Sequence, residues 1–432
     1  MIDVLLLLAL TGLMQAARSF DTSGASAGTE LAFGFLLLAA FFAARIGVRF
    51  GLPKLTGYLL VGVVAGPYVF DLVSKPLAAS LGIVNGVATC ILGLSAGGEL
   101  DLKRVKPIFK TLRAITVVGV LGAMVVLAAV LFILQPMLPM FSNTTLTQTL
   151  TICAVVAVAL SAQSPAVVMA LLAETRADGP LSRLVLATVV VADLVVIVVY
   201  SIVAAVAGAL VGGEVEIAET MMSIGWELFG SMAFAVVIGM LISRYIRSVN
   251  NGNALFSLLV CVVVAEIGSR VHLDPLVVML AAGVWLKNFS RAHTSALLHS
   301  FEAAELPVFL VFFSLAGCKL DLGNLAAMAV PVVLVAAARA TVFFFGCRWA
   351  CTRTSADPSV TRYAWTGLVP QAGLSLALVV VIQKNFPTFG ALAGVLLMSV
   401  VGLNQLFAPV LLRLSLVRSG EAGKRDVRAF AN

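Results

Sequence analysis

Charge is what this sequence has least of. Only 11% of its 432 residues are Asp, Glu, Lys or Arg, where a soluble globular chain carries about a quarter, and 61% are apolar. No aqueous surface can be built from that composition, so soluble enzymes, nucleic-acid modules and disordered scaffolds are excluded. Histidine is nearly absent: His272, His293 and His299 are the three imidazoles, none in a helical pair with a carboxylate, so a histidine metal centre is not expected. The six cysteines sit within or at the ends of apolar runs with no paired spacing, and read as small apolar fillers. No Gly-rich phosphate loop ending in Lys occurs, and nothing calls for a cofactor. What remains is a mean hydropathy of +1.09 and a net charge of +7, the mark of an all-α polytopic membrane protein whose first partner is the lipid bilayer.

Fourteen apolar segments can be marked, at roughly 2–17, 31–44, 55–73, 78–98, 114–134, 148–173, 184–211, 222–243, 253–269, 275–286, 303–318, 325–347, 363–383 and 388–412. A straight span needs about 20 apolar residues, so 31–44 and 275–286 must borrow flanking residues or sit tilted or in a thinned bilayer. Lys and Arg accumulate in alternate loops: Arg45, Arg49 and Lys54; Lys103 to Arg113; Arg176 and Arg183; Arg244 and Arg247; Lys287 and Arg291; Arg348 to Arg362; and the tail from Arg413. The intervening loops hold only Arg18, Lys75, Arg270, Lys319 and Lys384. That alternation puts the first set, and the C-terminus, in the cytoplasm. The first segment, residues 1–30 with its polar linker, carries Asp3 and no basic residue ahead of the apolar run, which favours a retained helix over a signal sequence.

Ala96-Gly97-Gly98-Glu99-Leu100-Asp101-Leu102 recurs as Ala316-Gly317-Cys318-Lys319-Leu320-Asp321-Leu322, and Leu59 to Val63 aligns with Leu280 to Val284. By the charge alternation the two copies start on opposite sides of the membrane. Inverted repeats are the architecture of alternating-access secondary transporters. The expected organisation is a first half over 31–212 containing repeat 1 from about residue 50, connecting helices over 213–269, repeat 2 over 270–415, and a short basic tail over 416–432. Two spans are interrupted at corresponding positions, by Ser161-Ala162-Gln163-Ser164-Pro165 and by Gly367-Leu368-Val369-Pro370-Gln371-Ala372-Gly373. Such breaks expose half-helix ends at mid-membrane, where substrate binds in folds of this kind.

An ionisable residue at bilayer depth costs at least about 2.5–3.5 kcal/mol on insertion scales and is a functional candidate by default. Asp193 is the clearest, deep in its apolar run and immediately after the helix broken at Ser161–Pro165. A carboxylate beside backbone carbonyls, Gln163 and the hydroxyls of Ser161 and Ser164 is an oxygen-rich site suited to a hard cation. Burial penalises the charged carboxylate, so a proton and a metal cation can compete for it. Glu266 and Arg339 are expected to pair with each other inside the membrane, since a buried charge is cheapest when matched. Glu227 and Glu305 lie nearer segment ends and are expected to reach water.

The chain resembles the monovalent cation/proton antiporter superfamily, in the branch of bacterial sodium/proton and potassium/proton exchangers, over about residues 31 to 415. The residues that carry the resemblance are Gly51-Leu52-Pro53 with Gly57 to Gly62 and Gly66-Pro67, Gly98 to Leu102, Ser161 to Pro165, Asp193, Glu266, Arg339 and Pro370-Gln371-Ala372-Gly373. The resemblance implies 13–14 transmembrane helices in two inverted repeats, crossed discontinuous helices, a core bundle moving against a dimerisation bundle, a homodimer in the inner membrane, and Asp193 as the alternating carrier of H+ and of Na+ or K+. Two departures stand out. Ala192 replaces the polar residue expected before the aspartate, and Phe343 replaces the Lys that electrogenic relatives carry four residues after the arginine. With one titrating carboxylate and no compensating Lys, exchange is expected to be electroneutral. Two other classes compete: a non-transporting sensor that keeps the fold, and an organic-anion carrier, for which Arg339 is the one deep cation in the sequence.

Overall fold

The computed structural model describes residues 2–20, 28–211, 222, 225–248, 253–271, 273–290, 308–321, 323, 326 and 328–424. The expectations placed on Glu305, on the side chain of Glu227, on most of the 19–29 linker and on the last eight residues of the tail lie outside them.

The described residues are helical, without strands. In chain order the main helices are α1 (Ile2–Phe20), α2 (Thr29–Arg49), α3 (Lys54–Ala65), α4 (Gly82–Glu99), α5 (Lys106–Ile133), α6 (Leu146–Ser161), α7 (Pro165–Thr175) and α8 (Pro180–Val211). They continue with α9 (Ser231–Ser248), α10 (Asn253–Val271), α11 (Pro275–Phe289), α12 (Val308–Cys318), α13 (Ala329–Arg353), α14 (Pro358–Tyr363), α15 (Gly373–Asn385) and α16 (Gly390–Arg418). Among the described residues seven helical stretches are long and apolar enough to cross a bilayer, with α6 and α7 forming one of them. The chain is an integral, multi-pass membrane protein. The short run at 31–44 does borrow from its flanks to make the 21-residue α2, whereas α11 has 15 residues and so spans only about 22 Å.

Local chemistry explains where the helices begin. Ser164, Asp274 and Asp357 each precede a proline and each accept a backbone N–H from the first turn, which starts α7, α11 and α14. Thr145 and Gln148 form a reciprocal capping box at the start of α6. The long α8 is capped from elsewhere in the chain. Glu421 accepts the backbone N–H groups of Leu181 (2.7 Å) and Ser182 (2.8 Å) and the Ser182 hydroxyl (2.6 Å), and is itself almost wholly buried. The helix expected to end near residue 412 runs on to Arg418, and residues 419–424 fold back over the turn between α7 and α8.

Hydrogen bonds between loops sort the ends of the helices into two groups. Lys54 meets Glu174, Arg413 meets Gly51, Leu102 meets Asn288, Thr111 meets Thr354, and Asp178 meets Glu421, so the loops rich in Lys and Arg gather at one end. Asp3 at the start of α1 pairs there with Arg45 and Arg49. At the other end Trp226 bonds to Val271 and Ser231 to Asp274.

Among the described residues four apolar clusters result, two of which frame the site. The larger is built mainly on α5 to α8, α13, α15 and α16, and at its centre every residue of the broken span from Val155 to Leu172 is buried. A smaller core joins α4, α9, α10 and α11. The recurring segments pack reciprocally. A side chain at Gly62 in α3 would strike Ser314 and Gly317 in α12, while one at Gly283 in α11 would strike Leu94, Gly97 and Gly98 in α4. Gly317 abuts Leu59 and Val63 just as Gly97 abuts Leu280 and Val284, so equivalent residues make equivalent contacts. In both pairs the contacts advance together along the two chains, so α12 runs with α3 and α11 with α4.

Candidate functional site

Both interrupted spans are broken in the structure. The first opens at Ala162–Ser164 between α6 and α7; the second at Leu368–Ala372, where a 3-10 turn over Ala364–Gly367 extends α14 before α15 begins. Pro165 stands at the first position of α7, where its missing N–H costs nothing, and Gly373 opens α15.

The two breaks touch, and Arg339 is what joins them. Its side chain, wholly buried, donates from Nε to the Leu160 carbonyl (2.7 Å) and from Nη2 to that of Ala162 (2.8 Å) on one side. On the other it donates from Nη1 to Val369 (2.6 Å) and from Nη2 to Leu368 (3.0 Å). These carbonyls are freed where the first half-helices stop, and a cation at two helix C-termini is favoured electrostatically. Phe343, one turn on, lies beneath the guanidinium at 4.7 Å from ring centroid to carbon. The expected Glu266–Arg339 pair is therefore not formed. Arg339 is satisfied by main-chain oxygens at the centre of the larger core, while Glu266, half-buried on α10 in the smaller core, binds Arg270 one turn away at 2.6 Å. A guanidinium carries five donors, and the broken backbone takes four hydrogen bonds from it without a second buried charge.

Gln371 supplies a second bridge. Its amide nitrogen donates to the Leu160 carbonyl (3.1 Å) and to the Ser375 hydroxyl (3.3 Å), and its oxygen accepts from Asn404 on α16 (2.6 Å). Pro370 lies beside it in the extended segment.

Where Arg339 meets the C-terminal ends, Asp193 meets the N-terminal ones. A cavity of about 290 Å³ is lined by Asp193, Gln163, Ser164 and Pro165 together with Gly373 from the second break and Asn85 from α4. Asp193 is 9% exposed, and its Oδ1 has no hydrogen-bond partner; Gln163 is wholly buried and its Oε1 has none either. Buried acceptors are nearly always paired, so two orphaned oxygens on residues that line one cavity mark a place for a cation, a proton or water. The Gln163 nitrogen is used by the Ser161 carbonyl, which orients the amide oxygen, and Ser164 holds the Val167 N–H at 3.2 Å. Ser161 is not among the lining residues. Its hydroxyl turns back to the Val158 carbonyl (2.7 Å) because it is still in the last turn of α6. The wall of this cavity also includes Lys319, so it opens toward the end of the molecule away from Glu421.

Sequence reasoning missed Asn404, Ser375, Asn85 and Asp274. The first three are polar residues inside apolar runs with no spacing signal, while the Asp-Pro step at 274–275 is a readable helix-start pattern.

A family profile described as "Sodium/hydrogen exchanger, transmembrane" matches residues 35–413. The chain belongs to the sodium/hydrogen exchanger family. That places it in the monovalent cation/proton antiporter superfamily, whose members are transporters and not enzymes. A 213-residue stretch is 27% identical to the putative cation/proton antiporter YbaL of Escherichia coli (strain K12), covering 48% of this chain and 35% of that protein. This exchanger-family chain thus matches about a third of the length of that curated relative. In structure it is similar to the sodium proton antiporter MjNhaP1 from Methanocaldococcus jannaschii. A structure of that protein at pH 8 superposes with a TM-score of 0.59 at 14% identity, covering 94% of this chain and 99% of the other. A second, from an electron-microscopy map, gives 0.70 at 15% identity, with 92% and 96% covered. At that identity the likeness is one of fold.

Proposed function

We propose that this exchanger-family chain exchanges a monovalent cation, Na+ or K+, for H+ by alternating access, with Asp193 carrying each in turn and Gln163 and Ser164 completing an oxygen shell. The observation that carries the reading is the pair of unpartnered buried oxygens, Asp193 Oδ1 and Gln163 Oε1, on one cavity between two helix breaks. Oxygen donors suit alkali cations, and a buried carboxylate is neutral at least cost when it holds a cation or a proton. The reciprocal glycine contacts support two inverted repeats: α3 and α4 are successive crossings, so α11, parallel to α4, runs opposite to its counterpart α3. Lys and Arg gathered at the Glu421 end support a cytoplasmic C-terminus in a bacterial inner membrane, which makes the Asp193 cavity outward-facing. A homodimer completes the reading, as the resemblance implies.

The test is reconstitution into vesicles loaded with a pH-sensitive dye, followed by addition of Na+ or K+ outside. Cation-dependent proton efflux that is lost in Asp193→Asn, with the variant still folded, is the expected result. A well-folded wild type silent to both cations would move the chain to a sensor that has kept the fold. With one carried carboxylate and Phe343 in place of a Lys, the exchange is electroneutral. Flux driven by an imposed membrane potential alone would contradict that.

A further inference from the structure

Asp193 lines a second, smaller cavity of about 70 Å³, which it shares with Val190, Leu194 and Ile197 of α8 in place of Gln163 and Ser164. Its wall is mostly aliphatic, with Pro165 from the first break, Met232 of α9 and Leu276 of α11 among it, and its polar members are Asp193 and one further carboxylate, Asp274. The two acids sit on helices that pack into different apolar clusters. Asp193 stands on α8 in the larger apolar core, and Asp274 caps α11, which packs with α4, α9 and α10 in the smaller one.

Asp274 is held rigidly. Its Oδ1 accepts the backbone N–H groups of Leu276 (2.8 Å) and Val277 (3.4 Å), and its own N–H donates to the Ser231 hydroxyl (3.1 Å). Its Oδ2 makes no hydrogen bond among the described residues, just as Asp193 Oδ1 makes none. A helix cap needs a single acceptor, so Ser or Asn would serve as well as Asp for folding alone. Two carboxylates facing one small cavity repel each other unless positive charge lies between them. At about 10–15 Å³ for each water, 70 Å³ admits a largely dehydrated alkali cation with a few waters. Asp274 is only half-buried and sits at the α11 terminus, beside the Trp226–Val271 contact, so it is nearer the aqueous end than Asp193. The larger cavity carries the ammonium of Lys319 in its wall, which opposes an incoming cation.

We propose that Asp274 is a second binding residue of the cation pathway, a fixed carboxylate that draws the cation from the outer face along the smaller cavity to Asp193. The proposal rests on the reading of Asp193 as the cation carrier. It assigns the two cavities different roles: the smaller leads the cation in, and the larger holds the Gln163 and Ser164 oxygens that complete its shell at Asp193.

The test uses the full chain with Asp274→Asn and Asp274→Ser, both of which preserve a cap acceptor while removing the charge. In reconstituted vesicles the half-saturating Na+ or K+ concentration should rise about five- to tenfold, with maximal flux within about twofold of wild type. A second readout needs no transport: the cation concentration at which the detergent-solubilised protein gains half of its thermal stabilisation should shift by a similar factor. An unchanged half-saturation in both readouts assigns Asp274 to capping alone and overturns the proposal. So does loss of stability with a normal half-saturation in the surviving protein, since that quantity does not depend on the amount of active material. If wild type shows cation stabilisation without flux, the exchange reading fails, and the stabilisation midpoint still decides the role of Asp274. If no cation stabilises or moves protons in wild type, both fall together.

Discussion

Replacing Arg339 by Leu removes a guanidinium that holds four carbonyls at once, two in each helix break. Leu160 keeps a partner, because Gln371 also donates to it. The carbonyls of Ala162, Leu368 and Val369 lose the donor that meets them inside the core. A buried acceptor left unmet costs about 1–3 kcal/mol, so the three together amount to about 3–9 kcal/mol. Against this stands the relief of a buried cation's desolvation, worth several kcal/mol, which favours the lower end. We expect Arg339→Leu to cost about 3–5 kcal/mol. Arg339→Lys keeps the charge, but an ammonium offers three protons from one point and cannot reach both segments as the planar fork does. Its cost should fall between wild type and Leu. The assay is thermal melting in detergent followed by size-exclusion chromatography, together with protease sensitivity at the breaks. The melting temperature should fall in the order wild type, Lys, Leu, and protease sensitivity should rise in that order. An Arg339→Leu protein that melts within about 1 °C of wild type would show that the breaks hold together without the guanidinium.

Two further substitutions probe features the fold depends on. Gly97→Val should prevent α4 from seating against Leu280 and Val284 of α11, giving misfolded or aggregated protein on chromatography; a normal elution profile would contradict the close-packed crossing. Glu421→Ala removes three bonds from the first turn of α8 to a buried carboxylate, two of them from backbone N–H groups, and should cost about 2–4 kcal/mol. Limited trypsin digestion should then cleave the tail near Arg418 and Lys424 faster than in wild type, and an unaltered rate would mean that the tail is held by other contacts.

How far the site was readable varies by residue. Asp193 announced itself because insertion into a bilayer makes any ionisable residue expensive, and the two breaks did so because proline and polar side chains interrupt apolar runs. The recurring glycines were legible as a repeat, and the structure gives each its physical use as a point of backbone approach. Arg339 was recognised as deep and important, yet its partner was misassigned. A buried charge can be met by an opposite charge or, as here, by a broken backbone whose free carbonyls are the counter-group. Ser161 was placed at the site by its neighbours in sequence, though a hydroxyl one residue before the break still belongs to the helix.

Composition, hydropathy period and loop charge therefore sufficed for the class of protein, most of its helical segments and the choice of Asp193 as the deep carboxylate. Each of these is a consequence of transfer energies that act residue by residue. Which oxygens are left unpaired, that two breaks separated by some two hundred residues share one arginine, that Glu421 caps a helix begun far earlier in the chain, and that Asp274 and Asp193 line one cavity were decided only on folding. Those are pairings across the chain, set by how helices cross and close-pack. No local preference encodes a partner whose position exists only once the helices are assembled.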